Sequence, residues 1–317
     1  MRYRRRLCAF PIVLALLGSP LDAFAQWENI YLPVDTIERL LRYEDFEIAS
    51  FRDARFEGDR TQHAVLRFPG KVAMRVKWAA APKRGDSFNN RPRFELAAYE
   101  LQKLFLDEDD YVVPPTVARA IPLEDYPRTR SVDPTFDTSS VLVLMQYWLS
   151  NVTPDGIYDR DRLNSDSVYA RHFGNLNILT YLIRHADANF GNFLLSTEPT
   201  NPRLFAVDNG VSFGDISDRP DDWRRLRTDR LPRAAVERLR GITEEDLQQA
   251  LGVMIQYEIR EGRLVEVEPT ENRNPGRGAH KQDDVVQMGL TSREIRGVYG
   301  RLEDLLRDVD RGRIEVF

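Results

Sequence analysis

Two stretches of this chain dictate where its backbone must double back: Arg184-His185-Ala186-Asp187-Ala188-Asn189-Phe190-Gly191-Asn192-Phe193-Leu194-Leu195, and Leu204-Phe205-Ala206-Val207-Asp208-Asn209-Gly210. Phe193 to Leu195 and Leu204 to Val207 read as short buried strands, with turn residues from Thr197 to Pro202 between them. A hairpin of that kind carries Asn192 and Asp208 to one end of the pair. Asp187 stands shortly before Asn192. Two carboxylates and a carboxamide in this order suit phosphoryl transfer, where one carboxylate orients the acceptor proton and the other two groups hold a divalent cation against phosphate oxygens. Either half alone also fits an Asn- and Asp-rich loop that bonds to its own backbone. Both halves in sequence, with apolar strands attached, favour the catalytic reading.

Upstream, His63 to Phe68 and Lys71 to Trp78 alternate as two strands joined by a turn at Pro69-Gly70. Val72, Met74 and Val76 share one face, and Ala73, Arg75 and Lys77 share the other. A helix is expected from Arg93 to Phe105, where Leu96, Ala97, Tyr99, Leu101 and Leu104 recur at helical spacing. It carries Glu95. Lys77, at the end of the second strand, is placed to reach phosphates or else is a solvated edge lysine; in a cleft it needs an anionic partner, because an unpaired ammonium is costly to desolvate. Glu95 is the preferred partner of Lys77 and Glu100 the competing one.

With these motifs in hand, the chain resembles an atypical member of the protein-kinase-like superfamily, nearer the phosphoinositide 3/4-kinase-like, HipA-like and secreted Golgi casein kinase-like branches than ordinary protein kinases. The resemblance runs from about Ile48 to about Arg240, through Met74-Arg75-Val76-Lys77, Phe94-Glu95-Leu96-Ala97-Ala98-Tyr99, Val112-Val113-Pro114-Pro115-Thr116, His185-Ala186-Asp187 to Asn192, and Val207-Asp208-Asn209-Gly210. It implies an α+β, two-lobed protein-kinase-like fold, with a small β-rich N-lobe holding one key helix and a mostly helical C-lobe. It also implies Lys77 on the phosphates of ATP with Glu95 as its partner, Asp187 as catalytic base, and Asn192 and Asp208 as ligands of Mg²⁺ or Mn²⁺. Val141 to Trp148 would be the strand and hinge that take the adenine through backbone groups, at Gln146 and Tyr147.

Several departures bear on the substrate. No Gly-rich loop precedes Lys77, Asp208-Asn209-Gly210 stands for Asp-Phe-Gly, and Ala186 stands where an Arg would receive an activation-loop phosphate. Asn189 takes the place of a Lys common after the base, and no Ala-Pro-Glu segment follows. Control by loop phosphorylation is therefore not expected.

The N-terminus has a secretory pattern. Arg2, Arg4, Arg5 and Arg6 precede an apolar run from Leu7 to Gly18, and Ala23-Phe24-Ala25 offers a cleavage site. The domain reading is thus a signal peptide over 1–25, an N-lobe with leader helix and hinge strand over 26–148, and a helical C-lobe over 149–317. An exported location, periplasmic or secreted, follows, with no stable membrane span after cleavage; an uncleaved anchor is the alternative. The only cysteine, Cys8, lies in this segment. Of 45 basic and 50 acidic residues, the segment takes four Arg and one Asp, leaving 41 against 49, which argues against generic nucleic-acid binding.

Elsewhere, a leader helix with Asp35 as N-cap should turn Ile37, Leu40 and Leu41 inward. Asp107 to Asp110 is read as a solvated acidic loop and Pro122 to Ser140 as an exposed connection. Asp166 to Arg184 should form a buried helix in which His172 packs rather than ligates. Thr243 to Glu261 and Thr291 to Arg311 read as amphipathic helices, and Thr270 to Gln282 as a mobile segment. Arg219, Arg224, Arg225, Arg227, Arg230 and Arg233, around Trp223, form a basic cluster that is either a solvated mixed-charge helix or an anion-recognition edge.

The leading expectation is an exported kinase-like phosphotransferase acting on a hydroxyl acceptor, which could be a protein, sugar, lipid head group or metabolite. A secreted pseudokinase that binds without turnover, and a nucleotidyl (AMP) transferase on the same fold, are the alternatives.

Overall fold

The computed structural model describes residues 28–53, 61–87, 91–127, 131–186, 190–214 and 228–317. Strands β1 (Glu47–Asp53), β2 (Thr61–Arg67), β3 (Ala73–Ala80), β4 (Thr116–Pro122) and β5 (Ser140–Tyr147) form an antiparallel sheet in the order β1-β2-β3-β5-β4. The β2–β3 turn is tight: Gly70 and Lys71 both take positive φ, at 78° and 67°, and the Phe68 N–H closes on the Val72 carbonyl at 2.8 Å. That turn sets the register Leu66↔Met74, Ala64↔Val76 and His63↔Lys77. Alternation then sends Met74, Val76 and Trp78 into one core and leaves Arg75 and Lys77 on the opposite face.

Helix α1 (Val34–Tyr43) covers the first face with Ile37, Leu40 and Leu41, all buried with Trp78, Val117 and Met145. Its N-cap is Pro33 rather than Asp35; Asp35 sits one turn-position inside, where its carboxylate accepts the Thr36 N–H and complements the helix dipole. Helix α2 (Pro92–Gln102) has buried residues nearly all round, from Phe94 to Leu101, so it lies between packed layers rather than on a surface.

The middle of the chain supplies α3 (Arg160–Ser165), α4 (Ser167–Leu182), a small antiparallel sheet of β6 (Val152–Thr153), β7 (Phe193–Ser196) and β8 (Leu204–Ala206), then β9 (Arg230–Leu231), α5 (Arg233–Leu239) and α6 (Glu244–Leu251). Asp166 caps α4 by accepting the N–H groups of Val168 and Tyr169. His172 of that helix is 1% exposed and bonds Asn201 at 3.0 Å. Pro122 to Ser140 is less exposed than its composition suggests: Tyr126, Thr135 and Phe136 are buried, and the Thr135 hydroxyl accepts the Leu142 N–H. A threonine that satisfies the N–H of a buried strand ties that connection to the sheet.

The last third departs most from expectation. The helix read over Thr243 to Glu261 stops at Leu251, and β10 (Ile255–Arg260) follows, paired with β11 (Arg263–Val267) and with β13 (Val285–Met288), beyond which lies β12 (Ala279–Gln282). This second sheet packs Ile255, Tyr257, Leu264, Val286 and Met288 against Ala79, Ala118, Leu142 and Leu144 of the first sheet and Leu96 of α2. Thr270 to Gln282, expected to be mobile, is tied down by buried amides: Gln256 accepts the Thr270 N–H, and Gln287 accepts that of Arg273. Helix α7 (Ser292–Asp310), with a Thr291 capping box, and the short β14 (Glu315–Val316) beside β9 complete the chain. The architecture is mixed α+β. Among the described residues, no helix is long and apolar enough to cross a membrane.

Candidate active site

Register places one row of side chains across the open end of the first sheet: His63, Lys77, Gln146 and Thr116, from β2 to β4. The Lys77 ammonium reaches Glu95 Oε1 of α2 at 2.7 Å and Asp208 Oδ1 at 3.4 Å. The other Glu95 oxygen accepts the backbone N–H of Asn209 at 3.0 Å. One carboxylate thus joins the strand lysine to the segment after β8. Glu100 faces elsewhere and pairs with Lys103 at 3.0 Å. Burial disfavours the Lys77 charge, but Glu95 and Asp208 outweigh it and hold the ammonium above its ordinary range.

Asn192 and Asp208 meet through the β7–β8 hairpin. Phe193 pairs with Ala206 and Leu195 with Leu204, and one step outward the Val207 N–H donates to the Asn192 carbonyl at 2.8 Å. Asp208 follows with φ 61°, a left-handed conformation that is strained for a residue with a Cβ and least so for Asp or Asn. Its side chain is 62% exposed while that of Lys77 is 15% exposed, so the carboxylate stands at the mouth with the ammonium behind it. The Lys77 charge pulls the Asp208 carboxyl below the usual carboxylate range, and His185 adds to it.

The next residues bind this segment to the end of α4. Asn209 is fully buried, with its amide directed at the Ala206 carbonyl at 3.5 Å. The Ala186 N–H donates to the Val211 carbonyl at 2.9 Å, and the Phe213 N–H to the Ile183 carbonyl at 2.6 Å. His185, also buried, lies against Phe193 with ring centroids 5.5 Å apart. Asp187, the expected base, and Asn189 lie outside the described residues.

Gln146 and Tyr147 part company. Gln146 shares the Lys77 face, where its buried amide donates to the Thr116 hydroxyl at 3.0 Å. Tyr147 pairs with Val76, so alternation turns its ring into the other core, and its hydroxyl accepts the Tyr31 N–H. The Tyr147 N–H is taken by the Pro115 carbonyl and the Trp148 N–H by the Arg75 carbonyl. Trp148, which sequence reasoning did not single out, therefore continues the pairing on the Lys77 face. Its ring, 37% exposed, meets that of His63 with centroids 4.1 Å apart. Arg75 donates to the Ser150 hydroxyl at 3.1 Å beside it. The sheet alternation held this signal, but it needed the β2–β3 register to become visible. Of the basic cluster, Arg230 and Arg233 are bound to the C-terminal strand, at Glu315 and the Val316 carbonyl, instead of a cleft edge; Arg219, Arg224, Arg225 and Arg227 lie outside the described residues.

Solved structures share this arrangement of elements. A hydra Fam20 structure with sugar is similar over 93% of this chain and 98% of its own, with a TM-score of 0.55 and 14% identity. A Golgi casein kinase crystal structure matches over 87% and 74%, with a TM-score of 0.54 and 14% identity. The Golgi casein kinase with Mn/ADP bound matches over 87% and 75%, with a TM-score of 0.52 and 14% identity. The fold is kinase-like. No protein-family model matches the chain, and no curated protein does.

Within this kinase-like fold, the groups at the hairpin end suit a hard cation. Asp208 offers an exposed carboxylate, and the backbone of Asn192 reaches the same hairpin end; a carboxylate and a carboxamide are oxygen donors of the type Mg²⁺ and Mn²⁺ prefer. No group of three or more His, Cys, Asp or Glu able to hold a metal ion occurs among the described residues.

Proposed function

We propose that the chain is an ATP-dependent phosphotransferase that moves the γ-phosphoryl group to an acceptor hydroxyl. What supports this reading is one constellation in a kinase-like fold: Lys77 held between Glu95 and Asp208, with Glu95 also tied to the Asn209 N–H. Lys77 carries a fixed positive charge to the phosphates, and Glu95 keeps it aimed while Asp208 competes only weakly at the longer distance. Asp208 and Asn192 hold Mg²⁺ or Mn²⁺, which when bound neutralises phosphate charge. Asp187 accepts the acceptor proton. Gln146, buried on the same face, borders the place for the base. The Golgi casein kinase neighbour with Mn/ADP bound lends weight to a nucleotide and a divalent metal here. Residues 1–25 act as an export signal in this reading, so the acceptor is met outside the cytoplasm.

Titration with Mg–ATP and Mn–ATP, read by thermal shift, followed by transfer from ATP labelled at the γ or α position, tests the assignment. Binding with γ-label transfer is the expected result. Label from the α position would instead establish AMP transfer, binding without label would establish a pseudokinase, and the absence of both would overturn nucleotide binding altogether.

A further inference from the structure

The Glu95 helix is gripped from its other side. Successive helical residues turn by about 100°, so Arg93 and Glu95 project in nearly opposite directions from the first turn of α2. Glu95 points to Lys77 and Asn209; Arg93 points to the C-terminal part of the chain. There its guanidinium forms a fork on Glu294 of α7, Nη1 to Oε2 at 2.6 Å and Nη2 to Oε1 at 2.9 Å. Nη1 also faces the Gly289 carbonyl at 3.4 Å, Nε donates to Asp86, and the plane lies over Phe94 at 4.2 Å. Only 6% of Arg93 is exposed. Gly278 closes the site: a Cβ there would lie 2.3 Å from Arg93 Cζ. Glu294 is itself the capping-box acid of α7, accepting the Thr291 N–H, so the fork engages a fixed carboxylate.

We propose that Arg93 is a positioning residue: through Glu294, Gly289 and Gly278 it uses the second sheet and α7 to hold α2 in the rotation at which Glu95 meets Lys77. The proposal rests on the phosphate-binding role of Lys77 given above. Turning α2 to release Glu95 would also break a bidentate ion pair inside a packed layer, so the Lys77–Glu95 contact is assembled by the fold without a modified loop. An arginine is suited to this because its planar fork fixes orientation as well as distance.

The test is a coupling measurement on the full chain, with Mg–ATP as probe and affinity read by calorimetry. Arg93→Gln should weaken Mg–ATP binding about tenfold, and Arg93→Lys less. In a Glu95→Gln background, Arg93→Gln should cause no further loss, because the two residues act through one contact. Gly278→Ala, which crowds the guanidinium and leaves every charge in place, should repeat the pattern and serves if Arg93→Gln does not fold. An undiminished loss in the Glu95→Gln background would mean that Arg93 is merely structural and would overturn the proposal. So would wild-type affinity in Arg93→Gln and Gly278→Ala while Lys77→Met and Asp208→Asn lose binding. Wild-type affinity in Lys77→Met and Asp208→Asn would instead refute the reading of the cleft, and the proposal with it.

Discussion

Two clusters within one helical turn of each other have the same charge balance and opposite characters. Around Lys77 one cation meets Glu95 and Asp208; around Arg93 one cation meets Asp86 and Glu294. The Arg93 cluster is closed: its donors are matched, an aromatic face lies beneath it and a glycine seals it. The Lys77 cluster is open, with Asp208 exposed at the longer distance on strained backbone. An excess of one negative charge is a liability in a sealed site and an invitation to a cation in an open one. On the proposed function, the contrast separates a contact built for rigidity from one built for a ligand.

The sharpest way to break that contrast is Asp208→Asn. If the open cluster serves catalysis, γ-phosphoryl transfer should fall by about a thousandfold, or about 4 kcal/mol of transition-state stabilisation. Unfolding free energy should stay within about 1 kcal/mol, since Asn tolerates the left-handed backbone and the lost ion pair is the weaker one. Steady-state kinetics and denaturant unfolding on one preparation check both halves. A large loss of stability with activity preserved would reverse the two clusters.

The closed cluster should respond the other way. Arg93→Gln leaves Asp86 and Glu294 without their counter-charge, and truncating one partner of a buried pair costs roughly 3 kcal/mol of stability. The urea midpoint should fall accordingly. A change below about 1 kcal/mol would show that solvent reaches the site and that it is not sealed.

How far these features could be read beforehand follows the range of the forces involved. The β2–β3 hairpin, the inward face of α1 and the β7–β8 pair were legible because turn residues and alternation act over a few neighbours. The proximity of Lys77 to Glu95 could be anticipated from a strand followed by a helix. Arg93 was invisible, since Glu294 is 201 residues away and nothing in Pro-Arg-Phe-Glu distinguishes a pinned guanidinium from a solvated one. The second sheet was missed for a related reason. Ile255 to Arg260 directly follows a true helix, and its partner β13 lies beyond an Asn- and Gly-rich segment whose order depends on Gln256 and Gln287. Tyr147 illustrates the converse: alternation from its partner Val76 is enough to assign its ring to the core, whatever its backbone groups bind.

A third buried site sharpens the comparison because its cation loses. His172 is 1% exposed, with Nε2 3.0 Å from Asn201 Oδ1 and Nδ1 3.6 Å from Asp110. Burial pushes its pKa down to about 4, and Arg171 and Arg203 add to this, whereas the Asn201 bond and the Asp166 charge work against it. Lys77 and Arg93 each keep their charge through two acids in direct contact; at His172 the Asp110 carboxylate at 3.6 Å and the pull of Asp166 are offset by Arg171 and Arg203 and outweighed by burial. With a folded value of about 4 against an ordinary 6.5, the unfolded chain binds more protons between those limits. Stability should therefore rise with pH from 4 to 6.5 and be flat in this contribution above it. The loss on acidification from neutrality to pH 4 should be roughly 2 kcal/mol, less than the full shift because a protonated ring can pair with Asp110 at 3.6 Å. His172→Gln, which keeps a donor for Asn201, should flatten that part of the profile in denaturant titrations run at stepped pH. An unchanged slope in the variant would mean that His172 is protonated in the fold and paired with Asp110, and that acids outside direct hydrogen-bond contact suffice to hold a buried cation in this molecule.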